Sequence, residues 1–231
     1  MKYLVTLMLL CSLGLTAQDK TYVVKKTQNN IIITGEGSDK AWGNANSLIE
    51  FSHPWLPKNL PSTTFKSLWS KTHFYFLYTV EDHEIITPQR GLGELDAVES
   101  DRVEIFFKAA DEKKPYYSLE MDALGRCLDS DAEFYKNNID FDWNWPKNQI
   151  ELKASQHKRG YIVEGSISLE SLRELGIYND DGILRAGLYR GEYYSKEDDK
   201  IGIKWISWVV ANPDKPVFHI PTSFGILELE N

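Results

Sequence analysis

Cysteine, methionine and long apolar runs are scarce in this chain, and each scarcity closes off a class of protein. The 231 residues hold two cysteines and three methionines. Cys11 falls in the first apolar stretch, so Cys127 is the lone thiol beyond it, and an internal disulfide or a cysteine-built zinc site is excluded there. Cys127 reads as a small buried residue rather than a reactive one. Basic charge is short too: 26 Lys and Arg against 34 Asp and Glu give a formal net charge of -8, which offers no electrostatic footprint for nucleic acid or another polyanion. No apolar run is long enough to cross a bilayer, so no membrane insertion is expected. Gly-x-Ser-x-Gly, His-Glu-x-x-His and phosphate-loop patterns are missing, as are internal repeats and low-complexity tracts. His53, His73, His83 and His157 are scattered without metal-ligand spacing.

What is present begins with an export signal. Lys2 supplies a positive start, Leu4 to Leu15 an apolar stretch, and Leu15-Thr16-Ala17 the small residues at which a signal peptidase cuts, before Gln18-Asp19-Lys20 turns polar. Residues 1–17 therefore read as a cleavable secretory signal, with a periplasmic or extracellular protein starting near Gln18. Leu10, not a small residue, precedes Cys11, which argues against a lipid anchor there. Residues 18–231 suit one compact domain, and aromatic residues at 13% of the chain supply ample apolar surface for its core.

Two-residue periodicity dominates. Ile31 to Thr34 is a short β-branched run ending at Gly35, and Phe65 to Trp69 and His73 to Val80 flank Ser70-Lys71-Thr72 as a hairpin. Arg102 to Phe107 alternates, with Val103, Ile105 and Phe107 on one face and Arg102, Glu104 and Phe106 on the other. Tyr116 to Asp122 places Tyr117, Leu119 and Met121 opposite Ser118, Glu120 and Asp122. Further strands are expected at Ile150 to Ser155, Gly160 to Ile167, Leu184 to Tyr194, Trp205 to Val210 and Gly225 to Glu230, with one helix from Ser168 to Leu175 that Gly176 ends. Many short strands and a single short helix predict an all-β fold, an antiparallel β-sandwich of the jelly-roll or immunoglobulin-like kind.

Three stretches carry a resemblance. Ile33-Thr34-Gly35 through Ala41-Trp42, then Leu68-Trp69, Phe74-Tyr75-Phe76-Leu77 and Val80-Glu81-Asp82, resemble the opening of family 9 carbohydrate-binding modules. Ser100 to Phe107 is similar to that family's most recognisable strand. Gly160 to Glu164, Ile206-Ser207-Trp208 and Phe218 to Leu227 resemble its closing elements. The resemblance implies a β-sandwich that binds poly- or oligosaccharide, in relatives often joined to xylan-degrading or other glycoside hydrolases. It also implies that Trp42, Trp69 and Trp208 are structural. Two tryptophans sandwich the terminal sugar in sugar-binding members. Their positions fall here near Val98 and Phe218, so that pair is absent, while Glu104 retains the acidic strand residue and Glu120 and Asp122 stand where the family has Arg and Asn.

Sugar chemistry points to residues of its own. A pyranose packs its C–H face on an aromatic ring, and its hydroxyls need donors and acceptors around the edge. Trp143 and Trp145, in the loop-like stretch Asp140 to Pro146, are candidate platforms, or else they cap the end of the sandwich. Glu104, Glu120 and Asp122 share a predicted sheet face and could accept from sugar hydroxyls, with Phe218 and His219 near its edge, although outward carboxylates on strands are ordinarily a solvated face. Arg190, alternating with Glu192 and Leu188, is a candidate rim donor. No cofactor is required. Calcium, common in the family, is the one ion to consider, with Asp82, Glu99, Asp101 and Asp140 as loop acids of the right chemistry.

Two rival readings come from other classes. Glu104 and Glu120 could act as acid and base in glycoside hydrolysis if their separation suited it. Related sandwiches bind haem through Met with His or Lys, and Met121 is the one methionine outside the leader, but its inward direction favours core packing. The reading favoured is a secreted, non-catalytic carbohydrate-binding domain accessory to glycan degradation.

Overall fold

The computed structural model describes residues 20–55, 61–111, 113–136, 138–196 and 200–231. The leader and Cys11 lie outside the described residues. The strands are β1 (Thr21–Lys26), β2 (Ser47–Leu48), β3 (Thr63–Trp69), β4 (His73–Glu81), β5 (Arg102–Lys108), β6 (Tyr116–Asp122), β7 (Cys127–Ala132), β8 (Ile139–Asp140), β9 (Ile150–His157), β10 (Gly160–Ser168), β11 (Ile183–Ser195), β12 (Ile201–Ser207) and β13 (Gly225–Leu229). The α-helix α1 (Leu169–Glu174) falls inside the predicted span. Ser168 caps it by accepting from the Ser171 amide.

The strands pair in the order β8-β7-β6-β5-β11-β13-β1-β3-β4-β10-β9, one curled sheet folded into two layers. Every pairing is antiparallel except those of β1, which runs parallel to β13 through Thr21–Val24 and parallel to β3 through Lys25 and Lys26, and so passes from one layer into the other. β11 is long enough to hold β5 along one edge and both β13 and β12 in succession along the other. The expected hairpin of β3 and β4 is present in full register from Thr63 opposite Val80 to Trp69 opposite Phe74.

Alternation fills the space between the layers. Val103, Ile105 and Phe107 from β5, Tyr117, Leu119 and Met121 from β6 and Leu184, Ala186 and Leu188 from β11 are buried against Phe74, Phe76, Tyr78 and Val80 from β4 and Tyr161, Val163 and Ile167 from β10. Met121 is in this core, as its predicted direction implied. The layers touch through Phe74 and Phe107, ring centroids 6.0 Å apart, and through the Tyr78 hydroxyl, which donates to the Glu104 carbonyl at 3.0 Å.

Ile31 to Thr34 is not a strand. Ile31 and Ile33 are buried with Trp42, Leu68, Tyr75 and Leu77 on the outer side of the β3–β4–β10 layer. Gly35, at φ +81°, brings the loop so close to β9 that a Cβ there would sit 3.0 Å from the Ala154 amide nitrogen. Four strands escaped the periodicity reading, β1, β7 and the two-residue β2 and β8, and the strand expected to start at Trp205 starts at Ile201.

Candidate functional site

The outer face of the β6–β5–β11–β12 layer gathers most of the polar candidates from the sequence. Glu104 stands opposite Glu120 on β6 and Tyr189 on β11, Arg102 opposite Asp122 and Gly191, and Phe106 opposite Ser118 and Gly187. The shared face of Glu104, Glu120 and Asp122 is therefore real, but it is not solvated. The segment after β12 folds back over it, so that Phe218 and Phe224 are buried with Phe106, Tyr116 and Tyr189 in a second aromatic cluster flanked by Trp55, Phe134 and Trp205. Alternation says which face a side chain takes; a loop distant in sequence decides whether water reaches it.

Arg102 is the pivot of this face. Its Nε donates to Glu104 Oε1 at 2.8 Å and ion-pairs with Glu120 Oε2 at 2.8 Å, while Nη1 donates to the Val98 carbonyl. Burial works against its charge, yet the two carboxylates outweigh burial and hold its pKa above the ordinary value. Burial also pushes both carboxyls above the usual Glu range, with Arg102 opposing the push on each, and Glu104 is raised further by its like-charged neighbour. Glu120 Oε2 is buried, with the Arg102 guanidinium beside it. The Glu120 side chain as a whole is 13% exposed.

Aromatic rings frame this charge cluster. The Trp205 ring lies over the Arg102 guanidinium, 5.1 Å from ring centroid to Cζ, and meets Phe218 edge-on at 5.2 Å. Phe218 in turn packs on Tyr189 at 4.5 Å. Tyr189 occupies the space beside Gly187, where a Cβ would come within 2.1 Å of its hydroxyl oxygen. Trp55 is anchored by its Nε1, which donates to the Asn212 carbonyl at 2.9 Å. Trp55, Trp205 and Tyr193 are half-buried and His219 is exposed, which makes them the accessible rim. His219 Nδ1 meets the Tyr116 hydroxyl at 2.6 Å, and desolvation on that side lowers the pKa of the ring below its ordinary value.

The other sequence candidates go elsewhere. Trp145 is 6% exposed, packs on Phe107 and Tyr117, and donates from Nε1 to Ser171 Oγ at 3.0 Å. Trp143 is half-buried against Tyr117 and Trp145. The two indoles thus cap the core and are not paired as a platform, because the inward Tyr117 offers them an aromatic surface to bury. Phe218 is likewise a packing residue. Asp122 is fully buried and shapes the turn after β6, accepting from the Leu124 and Arg126 amides and from Arg126 Nε. Arg190 is not a rim donor: it points inward from β11 opposite Val103, fully buried, and donates to Asp82 Oδ2 at 3.0 Å, to the Pro61 and Glu81 carbonyls and to Thr63 Oγ1, with Glu192 Oε2 at 3.0 Å.

The loop acids weighed for calcium are engaged by the protein's own donors. Asp82 is held by Arg190 and the Glu84 amide, Asp101 by the Ile86 and Tyr193 amides, Glu99 by Arg90, and Asp140 by the Asp142 amide. Among the described residues, no group of three or more His, Cys, Asp or Glu side chains is placed to hold a metal ion. No described helix is long and apolar enough to cross a membrane. Arg102 and Trp205 are functional candidates that sequence reasoning missed. The alternation that put Arg102 on the face of Glu104 was a signal for the first, and nothing local marked the second.

The molecule is a two-layer β-sandwich with an aromatic and charged cluster on one outer face. The chain belongs to the carbohydrate family 9 binding domain-like family, whose match covers residues 33–231. Membership places it among binding modules rather than enzymes. Among solved structures, the chain is similar to a candidate carbohydrate-binding protein from Bacteroides uniformis, at 16% identity over 92% of this chain and 100% of that one, TM-score 0.67. It is also similar to a family 9 carbohydrate-binding module from Caldicellulosiruptor kristjanssonii solved with cellotriose, at 17% identity over 91% and 94%, TM-score 0.61. A structure of a family 9 module from the same organism with glucose matches at 18% identity over 91% and 96%, TM-score 0.59. These likenesses show the fold. No curated protein matches.

Proposed function

We propose that the chain is a secreted, non-catalytic protein that binds a poly- or oligosaccharide at the accessible rim of the outer face of β5, β6, β11 and β12, as an accessory to glycan degradation. The observation that carries this reading is the arrangement of Arg102, Glu104 and Glu120 beside the half-buried Trp205, in a chain of a carbohydrate-binding family. Trp205 supplies a ring face for sugar C–H groups, backed by Arg102 so that it does not swing away. Glu120 supplies an acceptor for a hydroxyl, and His219 a polar group at the rim. The apolar start of the chain and the small residues before Gln18 support export, and glycans met outside the cytoplasm are the matching ligands. Xylan and cellulose fragments are the first ligands to try, with glycoside hydrolases as working partners; calcium enters as an additive whose effect is measured.

Calorimetry of the full chain against a panel of neutral plant and host oligosaccharides tests the site. Trp205→Ala and Glu120→Gln are each expected to weaken the best ligand at least tenfold while the chain stays folded by circular dichroism. Unchanged affinity in both would remove the site, and release of reducing sugar from the same panel would overturn the non-catalytic reading.

A further inference from the structure

Away from this face, the sandwich has an open edge. β7 lies beside the free edge of one layer and β9 forms the free edge of the other, and both line a cavity of about 950 Å³. That volume is at the upper end of the roughly 300–1,000 Å³ of small-ligand sites. Cys127 and Asp129 reach it from β7, Ile150 and Leu152 from β9, and Trp145 closes it toward the core.

Its lining is mixed in a particular way. Leu124, Pro146, Ile150 and Leu152 give apolar surface, while Gln89, Glu94, Asn144 and Asn148 give amides and a carboxylate. Asp96, 3% exposed, also lines it. Asp96 Oδ2 accepts from the Arg90, Gly91 and Leu92 amides and ion-pairs with Arg126, but its Oδ1 is buried without a hydrogen-bond partner among the described residues. A buried carboxylate oxygen left in that state is costly unless a donor comes to it.

Charge narrows the ligand. The cavity presents Glu94, Asp96 and Asp129 against Arg126 and Lys147. Arg126 is committed to Asp96, Asp122, Ser100 and the Pro88 carbonyl, which leaves Lys147 as the one uncommitted cation among the described residues of the lining against three carboxylates. Phosphate, sulfate and uronate groups are therefore disfavoured. A ligand with many hydroxyl donors and acceptors, apolar C–H faces and no charge fits amides, carboxylates and aliphatic side chains together.

We propose that this cavity is a second carbohydrate site, separate from the β5–β6–β11–β12 face, that takes a short neutral oligosaccharide. It rests on the carbohydrate reading and adds to it: two sites at different places on one domain would hold two stretches of a polysaccharide, raising avidity without any tighter contact at either.

Titration of the ¹⁵N-labelled full chain with cellotriose and then xylotriose tests it, with the indole Nε1–H signals of Trp145 and Trp205 as separate reporters. The expected result is a saturable shift at Trp145 that Leu124→Arg, an exposed position at the mouth, weakens at least tenfold while the Trp205 response persists. The double variant Gln89→Ala/Asn144→Ala is expected to weaken the Trp145 response without altering the melting temperature. A saturating shift at Trp205 with Trp145 unmoved overturns the cavity site and leaves the outer-face reading standing. Silence at both tryptophans with both sugars overturns the cavity site together with the reading on which it rests.

Discussion

Trp42 Nε1 donates to Glu164 Oε1 at 2.7 Å, and that bond helps tie a segment near the start of the described chain to β10. The other carboxylate oxygen, Oε2, accepts from the Thr34, Gly35 and Gly37 amides and from the Thr34 hydroxyl. Glu164 is thus a buried anion enclosed by donors, the arrangement in which a carboxylate is tolerated without a cation.

Glu164→Ala is expected to strand several of those donors at once. A loss of at least about 3 kcal/mol follows from the desolvation cost of unsatisfied buried groups. Thermal unfolding followed by circular dichroism should show a drop of roughly 6–12 °C for a chain of this size. Trp42→Phe removes one donor and keeps an aromatic ring, so a smaller drop is expected.

Arg190 holds Asp82 and Glu192 inside the sandwich. Arg190→Met leaves the buried Asp82 without its cation and Glu192 with Lys204 alone, and is expected to cost roughly 3–5 kcal/mol. Arg190→Lys should recover part of that, since charge is restored without the fork of donors. Urea denaturation of the two variants beside the parent checks the order. Added calcium should raise the melting temperature of Arg190→Ser if the surrounding oxygens accept a replacement cation.

Asp101 carries a pH dependence. Burial lifts its carboxyl to about 7, against the opposing hydrogen bond from Ile86, with Asp82 nearby adding to the rise and the Tyr193 amide and Arg190 opposing it. The unfolded chain releases this proton near pH 4. Between about 4 and about 7 the folded form holds more protons, so this group makes stability fall as pH rises through that window. Carboxyl ¹³C NMR should find Asp101 titrating near 7, and a midpoint near 4 would remove the effect.

Phe218 and His219 are neighbours with opposite roles. Phe218→Ala empties a space between Tyr189, Trp55 and Trp205 and is expected to cost about 3–5 kcal/mol. His219→Ala loses one bond at the surface and should stay within about 1 kcal/mol of the parent, while weakening sugar if the outer face is the site. Melting curves and calorimetry on both variants separate the two.

Much of the sandwich was legible because its strands alternate strictly. Val103, Ile105 and Phe107 could be assigned inward from spacing alone, and so could Tyr117, Leu119 and Met121. β7 was not, because Cys127 to Ala132 carries Asp129 and Asp131 and little β-branched residue; its pairing with β6 makes it a strand. The polar face was legible as a face but not as a buried one, since its cover comes from Phe218 and Phe224 far along the chain. Arg190 departs from its expected rim position because it shares the inward side of β11 with Leu188, where Asp82 and Glu192 meet its charge. Trp143 and Trp145 show the limit of composition: two indoles in a loop suggest a ligand, and Tyr117 gives them a reason to be buried without one.

β1 joins the two layers by pairing with β13 and β3, and this has a bearing on how the molecule comes to exist. Thr21 lies beside Ile226, so the joint between the layers cannot form on a ribosome until about 200 residues beyond β1 have been added. Bringing such distant partners together slows folding relative to a chain of local contacts. Until then Tyr22 and Val24, both buried in the finished core, remain uncovered.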